Sequence, residues 1–303
     1  MKSVPEGGHK FQKKADEPFV PLQSAHASAN KFIELLDLKL AERPENPLLW
    51  RRRADLTRRI GMVDETRNSL QRYRDLKTSE PKSEIDQKLM IPPGIQDADG
   101  YEVPPVCVID GFAPNSLVTE LLQHVAVNQS RFQRAKVNSA DPKYKDDVRR
   151  TEVFHQYQVG RTYFLTRLRD MQPELCRLFD MPMFEIGRME TKMSNHISGG
   201  HFRPHNDDNK GAGPDRRRLS WLFYFHRQPK QFVGGELFLM DTCREETDGQ
   251  RTFRPESYTR VEPINNRLIV FRSADFHAVS ETTLSSGEFM DGRMAVAGHI
   301  RCT

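Results

Sequence analysis

The sequence predicts an α+β protein of 303 residues, with a small all-α unit ahead of a strand-rich core. Two observations support this division. Apolar residues recur at helical spacing between residues 32 and 76. Beyond residue 104, short apolar runs bounded by turn-forming residues recur instead, as is typical of strands.

The first 24 residues are polar, and we expect them to form a flexible arm. Three helices should follow: one that ends near Pro44, one over residues 47–61 and one over residues 63–76. Residues 79–103 are rich in proline and charge, and we interpret them as a linker.

The second and third helices are similar to a single tetratricopeptide-type hairpin. Trp50 comes early, Ala54 lies in mid-helix and Gly61 marks the turn. A lone hairpin cannot bury its own apolar face. We therefore predict that the helical unit, residues 25–78, packs on the core, on a second subunit or on a partner.

The charge pattern does not favour nucleic acid. Five arginines fall between residues 51 and 59, but acidic residues are interspersed nearby and no aromatic residues alternate with them. Over the whole chain, 46 Lys and Arg nearly balance 42 Asp and Glu. We predict a solvated helix face and no nucleic-acid partner.

The four cysteines are also uninformative about metals. Cys107, Cys176, Cys243 and Cys302 lack metal-site or disulfide spacing and are predicted to be reduced. No apolar run approaches the ~18 residues of a membrane span, and the amino terminus lacks a secretion-type apolar segment. These patterns predict a cytoplasmic protein without a membrane partner.

Two ligand-type side chains stand two residues apart at His205 and Asp207. On an extended backbone, residues i and i+2 point to the same side, so both can reach one metal ion. The alternative is a helical zinc pair of His201 and His205. The glycines at 199–200 and Pro204 argue against a helix and exclude that alternative.

A third ligand-type residue, His277, follows residues 266–271, a compact apolar run typical of a buried strand. Two histidines and one carboxylate are the set that holds non-haem Fe(II) and leaves coordination positions open. Further on, alternation places Arg293 on one strand face with the small residues Ala295 and Ala297. A guanidinium among small side chains suits an anionic ligand, because it can pair bidentately with a carboxylate.

Together these segments resemble the catalytic core of the prolyl-4-hydroxylase-like branch of Fe(II)/2-oxoglutarate-dependent dioxygenases. The resemblance covers about residues 104–303, since residues 106–114 match the entry segment of the family. The other matching segments are 199–207 (GGHFRPHND), 218–225 (RLSWLFYF), 232–237 (FVGGEL), 260–271 (RVEPINNRLIVF), 277–280 (HAVS) and 292–296 (GRMAV).

The resemblance implies a double-stranded β-helix (jelly-roll) core with supporting helices. It also implies that His205, Asp207 and His277 bind Fe(II), that Arg293 binds the far carboxylate of 2-oxoglutarate, and that O2 is the other co-substrate. The family often has a tyrosine before the glycine-rich turn, and the nearest match here is His196. The resemblance assigns no further catalytic residue.

The implied activity is hydroxylation of an unactivated C–H bond, with decarboxylation of 2-oxoglutarate to succinate. Asp207 favours hydroxylation over halogenation, since related halogenases carry a small residue there. The predicted substrate is a peptidyl or protein residue such as proline. The alternatives are a free or carrier-tethered amino-acid-like metabolite and a non-catalytic jelly-roll binding module. Two long polar segments, 135–151 and 243–257, are predicted to wall the mouth of the site.

Overall fold

The structure is a computed structural model that describes residues 25–77, 86–96, 99–136, 145–208, 215–244 and 251–303. Within these residues it contains five α-helices and fourteen β-strands. No helix in the described part of the chain is long and apolar enough to cross a membrane. The predicted flexible arm, residues 1–24, lies outside the described residues.

Three helices open the described chain: α1 (Ala25–Glu42), α2 (Pro47–Arg59) and α3 (Val63–Asp75). Their bounds agree closely with the predicted ones. The start of α2 has a local cause, because the Asn46 side chain accepts a hydrogen bond of 3.0 Å from the Leu48 N–H. Pro47, the first helical residue, has no N–H to leave unpaired.

Two antiparallel sheets form the rest of the framework, so the fold is mixed α and β, as predicted. The first sheet has, in spatial order, β1 (Leu89–Ile91), β2 (Val106–Asp110), β12 (Arg267–Arg272), β8 (Arg217–Phe225), β14 (Arg293–Cys302), β6 (Ile186–His196), β5 (Glu152–Phe154) and β3 (Gln133–Arg134). The second has β11 (Arg251–Val261), β10 (Leu237–Arg244), β13 (His277–Leu284), β7 (Gly200–His205) and β4 (Arg149–Arg150), and β9 (Phe232–Gly234) pairs with β13.

Side chains of β8 show how the first sheet separates its two faces. Trp221 and Phe223 point outward and contact Phe164 of helix α5 (Arg161–Leu178), with ring centroids 5.9 and 4.8 Å apart. Helix α4 (Asn115–Val127) packs on the same outer face. Leu222 and Tyr224 point inward, toward residues of the second sheet. This alternation serves the core on both faces of the sheet, and the inner faces of the two sheets are left to enclose a cavity.

The helical unit packs on the sheets of its own chain. Ala54 of α2 and Leu70 of α3 belong to the same apolar cluster as Met90 of β1. Arg58 of α2 also donates two hydrogen bonds of 2.9 Å each to the carboxylate of Asp241 on β10. Both side chains of this ion pair are only 4% exposed.

Two predictions about irregular segments are wrong in part. Within the predicted linker 79–103, Leu89–Ile91 is the buried strand β1, because its three apolar residues pair with β2 under the helical unit. The segment 243–257, predicted to wall the site, is partly paired strand, since Cys243 and Arg244 of β10 pair with Thr252 and Arg251 of β11; residues 245–250 lie outside the described residues. Frequent charges in β11 hide its alternation. The division of the chain into separate domains stays a prediction.

The four cysteines are free in the structure, in agreement with the predicted reduced thiols. Burial raises the pKa of the Cys107 thiol to about 12. At neutral pH this side chain is therefore a protonated, apolar part of the core, with no thiolate available for metal binding or redox chemistry.

Candidate metal centre

His205 and Asp207 lie together at the carboxyl end of β7. His205 is the last residue of the strand. The backbone N–H of Asp207 donates to the carbonyl of Ser273 at 2.8 Å, which fixes the chain just beyond the strand. Nε2 of His205 then lies 3.8 Å from Oδ1 of Asp207. The expected same-side arrangement of residues i and i+2 is present.

His277 comes from a distant part of the chain. It is the first residue of β13, and the antiparallel pairing of β13 with β7 places it directly opposite His205. Its Nε2 lies 3.4 Å from Oδ2 of Asp207. The ligand atoms of the three side chains all lie within 4.8 Å of one another, close enough to surround a single metal ion.

The hydrogen bonds of the two histidines leave the correct ring nitrogen for a metal. Nδ1 of His205 lies 2.7 Å from the carbonyl of Arg203, and Nδ1 of His277 lies 3.1 Å from that of Asp275. A carbonyl can only accept, so in each ring Nδ1 carries a proton and Nε2 is the nitrogen left to face a metal. Such bonds through the second nitrogen are the usual support of metal-bound histidines.

Ring contacts further hold the two imidazoles in place. Phe202 stacks on His205 with ring centroids 3.5 Å apart, and Phe271 meets His277 edge-on at 4.8 Å. Burial and, to a smaller extent, the neighbouring His277 lower the pKa of His205 to about 3. His205 is therefore neutral at physiological pH, as a metal ligand must be.

Asp207 is ionised and tied to the first sheet. Burial alone would raise its pKa, but His299, His277 and His205, together with a hydrogen bond from Ser220, hold it well below its usual value. The Ser220 hydroxyl donates to Oδ2 of Asp207 at 2.8 Å. The carboxylate thus presents negative charge to the histidines and is held by an outer polar contact.

Arg293 and His196 lie at the other end of the same cavity. They are directly paired residues of β14 and β6. Arg293 is 1% exposed, and its guanidinium donates to the Gly235 carbonyl and to the Tyr224 hydroxyl, each at 2.9 Å. The structure therefore brings all five predicted site residues to one cavity, with the three metal-type ligands at one end.

Six further polar residues line this cavity and were not predicted individually: Arg149, Thr151, Lys192, Ser194, Ser220 and His299. A polar alternation, Lys192, Ser194 and His196, does mark the inward face of β6 in the sequence. His299 likewise continues the face of Arg293 along β14. Arg149 has no such signal. It belongs to the segment 135–151 that was predicted to wall the site, and it does line the cavity.

Comparison with known proteins agrees with this geometry. Residues 191–301 match the 2OG-Fe(II) oxygenase superfamily. Over 138 residues the chain is 36% identical to an uncharacterised PKHD-type hydroxylase of Synechocystis sp., a match that covers 45% of this chain and 43% of that relative. The chain thus spans less than half of the length of the curated relative.

Solved structures with a similar arrangement include a prolyl-4-hydroxylase of Pseudomonas putida. The similarity covers 65% of this chain and 92% of that one, at 19% identity and a TM-score of 0.45. A prolyl hydroxylase of Trichoplax adhaerens, solved with a peptide of hypoxia-inducible factor, covers 65% and 83% at 20% identity and a TM-score of 0.44.

The stretch that matches the superfamily contains His205, Asp207 and His277, whose ligand atoms converge in the structure, as well as Arg293 and His196. Members of this superfamily use Fe(II), 2-oxoglutarate and O2. Residues 191–301 are therefore similar to the 2OG-Fe(II) oxygenase superfamily, in agreement with the resemblance that the motifs of this part of the chain predicted.

Proposed function

We propose that the protein is an Fe(II)- and 2-oxoglutarate-dependent oxygenase that hydroxylates an unactivated C–H bond. One observation carries the proposal: two histidines whose Nδ1 atoms face backbone carbonyls and one ionised carboxylate converge at one end of a cavity that has a buried arginine at its other end. A metal ion would fit the end with the two histidines and the carboxylate, and a dicarboxylic acid would reach from that metal to the arginine at the other end.

The donor set fits Fe(II). Nε2 of His205, a carboxylate oxygen of Asp207 and Nε2 of His277 would hold the ion, leaving coordination positions for small ligands. When bound, Fe(II) with 2-oxoglutarate and O2 supplies the oxidising power for hydroxylation, and 2-oxoglutarate is converted to succinate and CO2. The chain itself orients the ligands through the Arg203 and Asp275 carbonyls.

Arg293 would hold the far carboxylate of 2-oxoglutarate. Its guanidinium has five N–H donors, and the bonds to Gly235 and Tyr224 use only part of them. His196 is a second candidate contact, because its Nε2 lies 2.9 Å from the Thr151 hydroxyl while its buried Nδ1 has no partner among the described residues. Burial and the nearby Arg293 hold the pKa of His196 well below its usual value, so the ring is neutral.

The inner faces of the two sheets support a further structural proposal, that they form a double-stranded β-helix around this cavity. The first substrate class to test is a peptidyl residue such as proline, and the second is a free or carrier-tethered amino-acid-like metabolite. A cytoplasmic location, and a partner or second subunit for the helical unit 25–78, belong to the same proposal.

An anaerobic titration with Fe(II) and 2-oxoglutarate tests the proposed function. We expect the purified protein to develop the visible charge-transfer band of an iron-chelated keto acid. Arg293→Leu should bind Fe(II) normally but 2-oxoglutarate about 10- to 100-fold more weakly, because charged hydrogen bonds contribute about 1.5–3 kcal/mol. The exposed Arg188 provides the matched control, Arg188→Leu. A protein that binds no Fe(II) and gives no band would contradict the proposal.

Gly235 offers a subtler test of the same anchor. A Cβ at this position would lie 3.0 Å from Cγ of Arg293 and 2.9 Å from Oγ1 of Thr282. Gly235→Ala should therefore displace the guanidinium and weaken 2-oxoglutarate binding in the same titration. Gly287→Ala is the matched control, since Gly287 also has a positive φ but nothing lies within 4 Å of its added Cβ. Equal 2-oxoglutarate affinity in both variants would argue against Arg293 as the anchor.

A further inference from the structure

Two cationic side chains line the metal end of the cavity, and neither lies within ion-pair distance of a carboxylate among the described residues. Arg149, on β4, places its guanidinium over the Phe202 ring at 4.7 Å, and its fully covered Nε has no hydrogen-bond acceptor among the described residues. Lys192, on β6, forms no hydrogen bond or ion pair within the described part of the chain. Burying a cation without a partner costs free energy, which is usually tolerated only for function.

The two cations are close enough to influence each other. Burial and, to a smaller extent, the charge of Arg149 lower the pKa of Lys192 to about 8. Burial likewise lowers the pKa of Arg149 to about 10. Both side chains are thus held where their positive charge is unfavourable, and a shared anionic ligand would remove the repulsion between them.

The register of β6 and β14 separates Lys192 from the co-substrate anchor. Lys192 is opposite Ala297, whereas His196 is opposite Arg293. Four residues of antiparallel strand span about 13 Å, so the two cationic positions lie at different depths of the cavity. Arg149 pairs through its strand with Phe202, next to the metal-type ligands.

The charges at the proposed centre are already balanced without these two residues. Asp207, Fe(II), doubly ionised 2-oxoglutarate and Arg293 cancel in formal charge. Within the described residues, the other cation near Asp207, Arg217, is paired with Glu190. Arg149 and Lys192 therefore remain uncompensated when the co-substrate is in place, and a further anion beside the metal would compensate them.

We propose that Arg149 and Lys192 bind the carboxylate of an amino-acid-like substrate and hold its aliphatic carbons beside the metal. This inference rests on the proposed function and decides between its two substrate classes. A free amino acid has an α-carboxylate for this pair, whereas an internal peptide residue has replaced it with a neutral amide. Bidentate arginine and a neighbouring lysine would together recognise the planar group.

The first experiment compares acids with their amides. The protein, loaded with Fe(II) and 2-oxoglutarate in air, is given each proteinogenic L-amino acid and, separately, its α-carboxamide, and succinate release is measured. We expect at least one acid to stimulate succinate release, with kcat/KM for its carboxamide lower by about 10-fold or more. The proposal would be overturned if no acid stimulated succinate release, or if a carboxamide stimulated it as well as its acid.

Charge-removing variants identify the residues responsible. Lys192→Met and Arg149→Met should each raise KM for the stimulating acid by about 10- to 100-fold, with an unchanged Kd for 2-oxoglutarate. Lys145→Met and Arg150→Met, exposed neighbours of Arg149, are the matched controls. A weakened 2-oxoglutarate complex would instead assign the pair to the co-substrate, and an unchanged KM would remove it from recognition altogether. Either result overturns the inference.

Thermal stability separates recognition from a structural role. Because neither cation forms an ion pair with a carboxylate among the described residues, replacing it with methionine should leave Tm equal or higher. A lower Tm with an unchanged KM would show a structural role. The charge-transfer band of the keto-acid chelate keeps the two proposals distinct. A missing band in the parent protein contradicts the proposed oxygenase function. A normal band without succinate release from any amino acid contradicts only the carboxylate inference.

Discussion

Asp207→Ala is expected to abolish iron-dependent turnover while the protein remains folded. The substitution removes the single carboxylate of the convergent set and leaves only the two histidines. Loss of an outer contact to a metal ligand typically costs about 10- to 100-fold in affinity, so loss of the ligand itself should cost at least about 100-fold. The measurement is Fe(II) affinity by anaerobic titration, together with succinate release.

The control for this variant is the next residue. Asp208→Ala removes a carboxylate whose partner is Arg216, away from the convergent ligand atoms. It should bind Fe(II) like the parent protein. Near-ultraviolet circular dichroism of both variants checks that the fold is intact. If Asp207→Ala kept the Fe(II) affinity and turnover of the parent protein, the metal would have to be bound elsewhere.

Asp241→Ala is expected to produce the largest loss of stability, about 3–5 kcal/mol in the free energy of unfolding. The substitution leaves Arg58 charged and buried beneath the helical unit, with its two hydrogen bonds to Asp241 broken. Ser257 also loses its acceptor. Urea denaturation, compared at equal m-value, measures the difference.

Two further variants make this stability prediction specific. Arg177→Ala removes an exposed ion pair with Glu174 and should cost less than about 1 kcal/mol. The double variant Arg58→Met/Asp241→Leu should recover much of the lost stability, because a buried ion pair can often be replaced by apolar side chains. If Asp241→Ala were as stable as the parent protein, the ion pair would not hold the helical unit to the sheets.

The sequence predicts best where the signal is local. The three amino-terminal helices follow from the spacing of their apolar residues. The start of α2 follows from Asn46 and Pro47. Each of these signals lies within one or two helical turns of sequence. His205 and Asp207 also follow from local geometry, since two residues of extended chain place them on one side. The family motif marks His277 as a candidate metal ligand. Only the pairing of β13 with β7 explains why it can reach the same ion as His205 and Asp207.

The missed residues depend on contacts between distant segments. Lys192 on β6 has the composition of a surface strand residue, and its inward direction follows from pairing with β14 on one side and β5 on the other. Arg149 reaches the cavity because β4 pairs with β7. The strand β11 is formed through its antiparallel pairing with β10, although its charged sequence does not suggest a strand.

The short strand β1 limits where the chain can be cut to obtain the oxygenase fold alone. β1 covers the outer edge of β2, where Val106 and Val108 are fully buried. A protein shortened to begin at residue 104 would present β2 as a bare edge with unpaired backbone groups and uncovered valines. Such edges template intermolecular strand addition, so this truncation would favour aggregation. The superfamily match alone, beginning at residue 191, is therefore a poor guide to the smallest soluble unit of this protein.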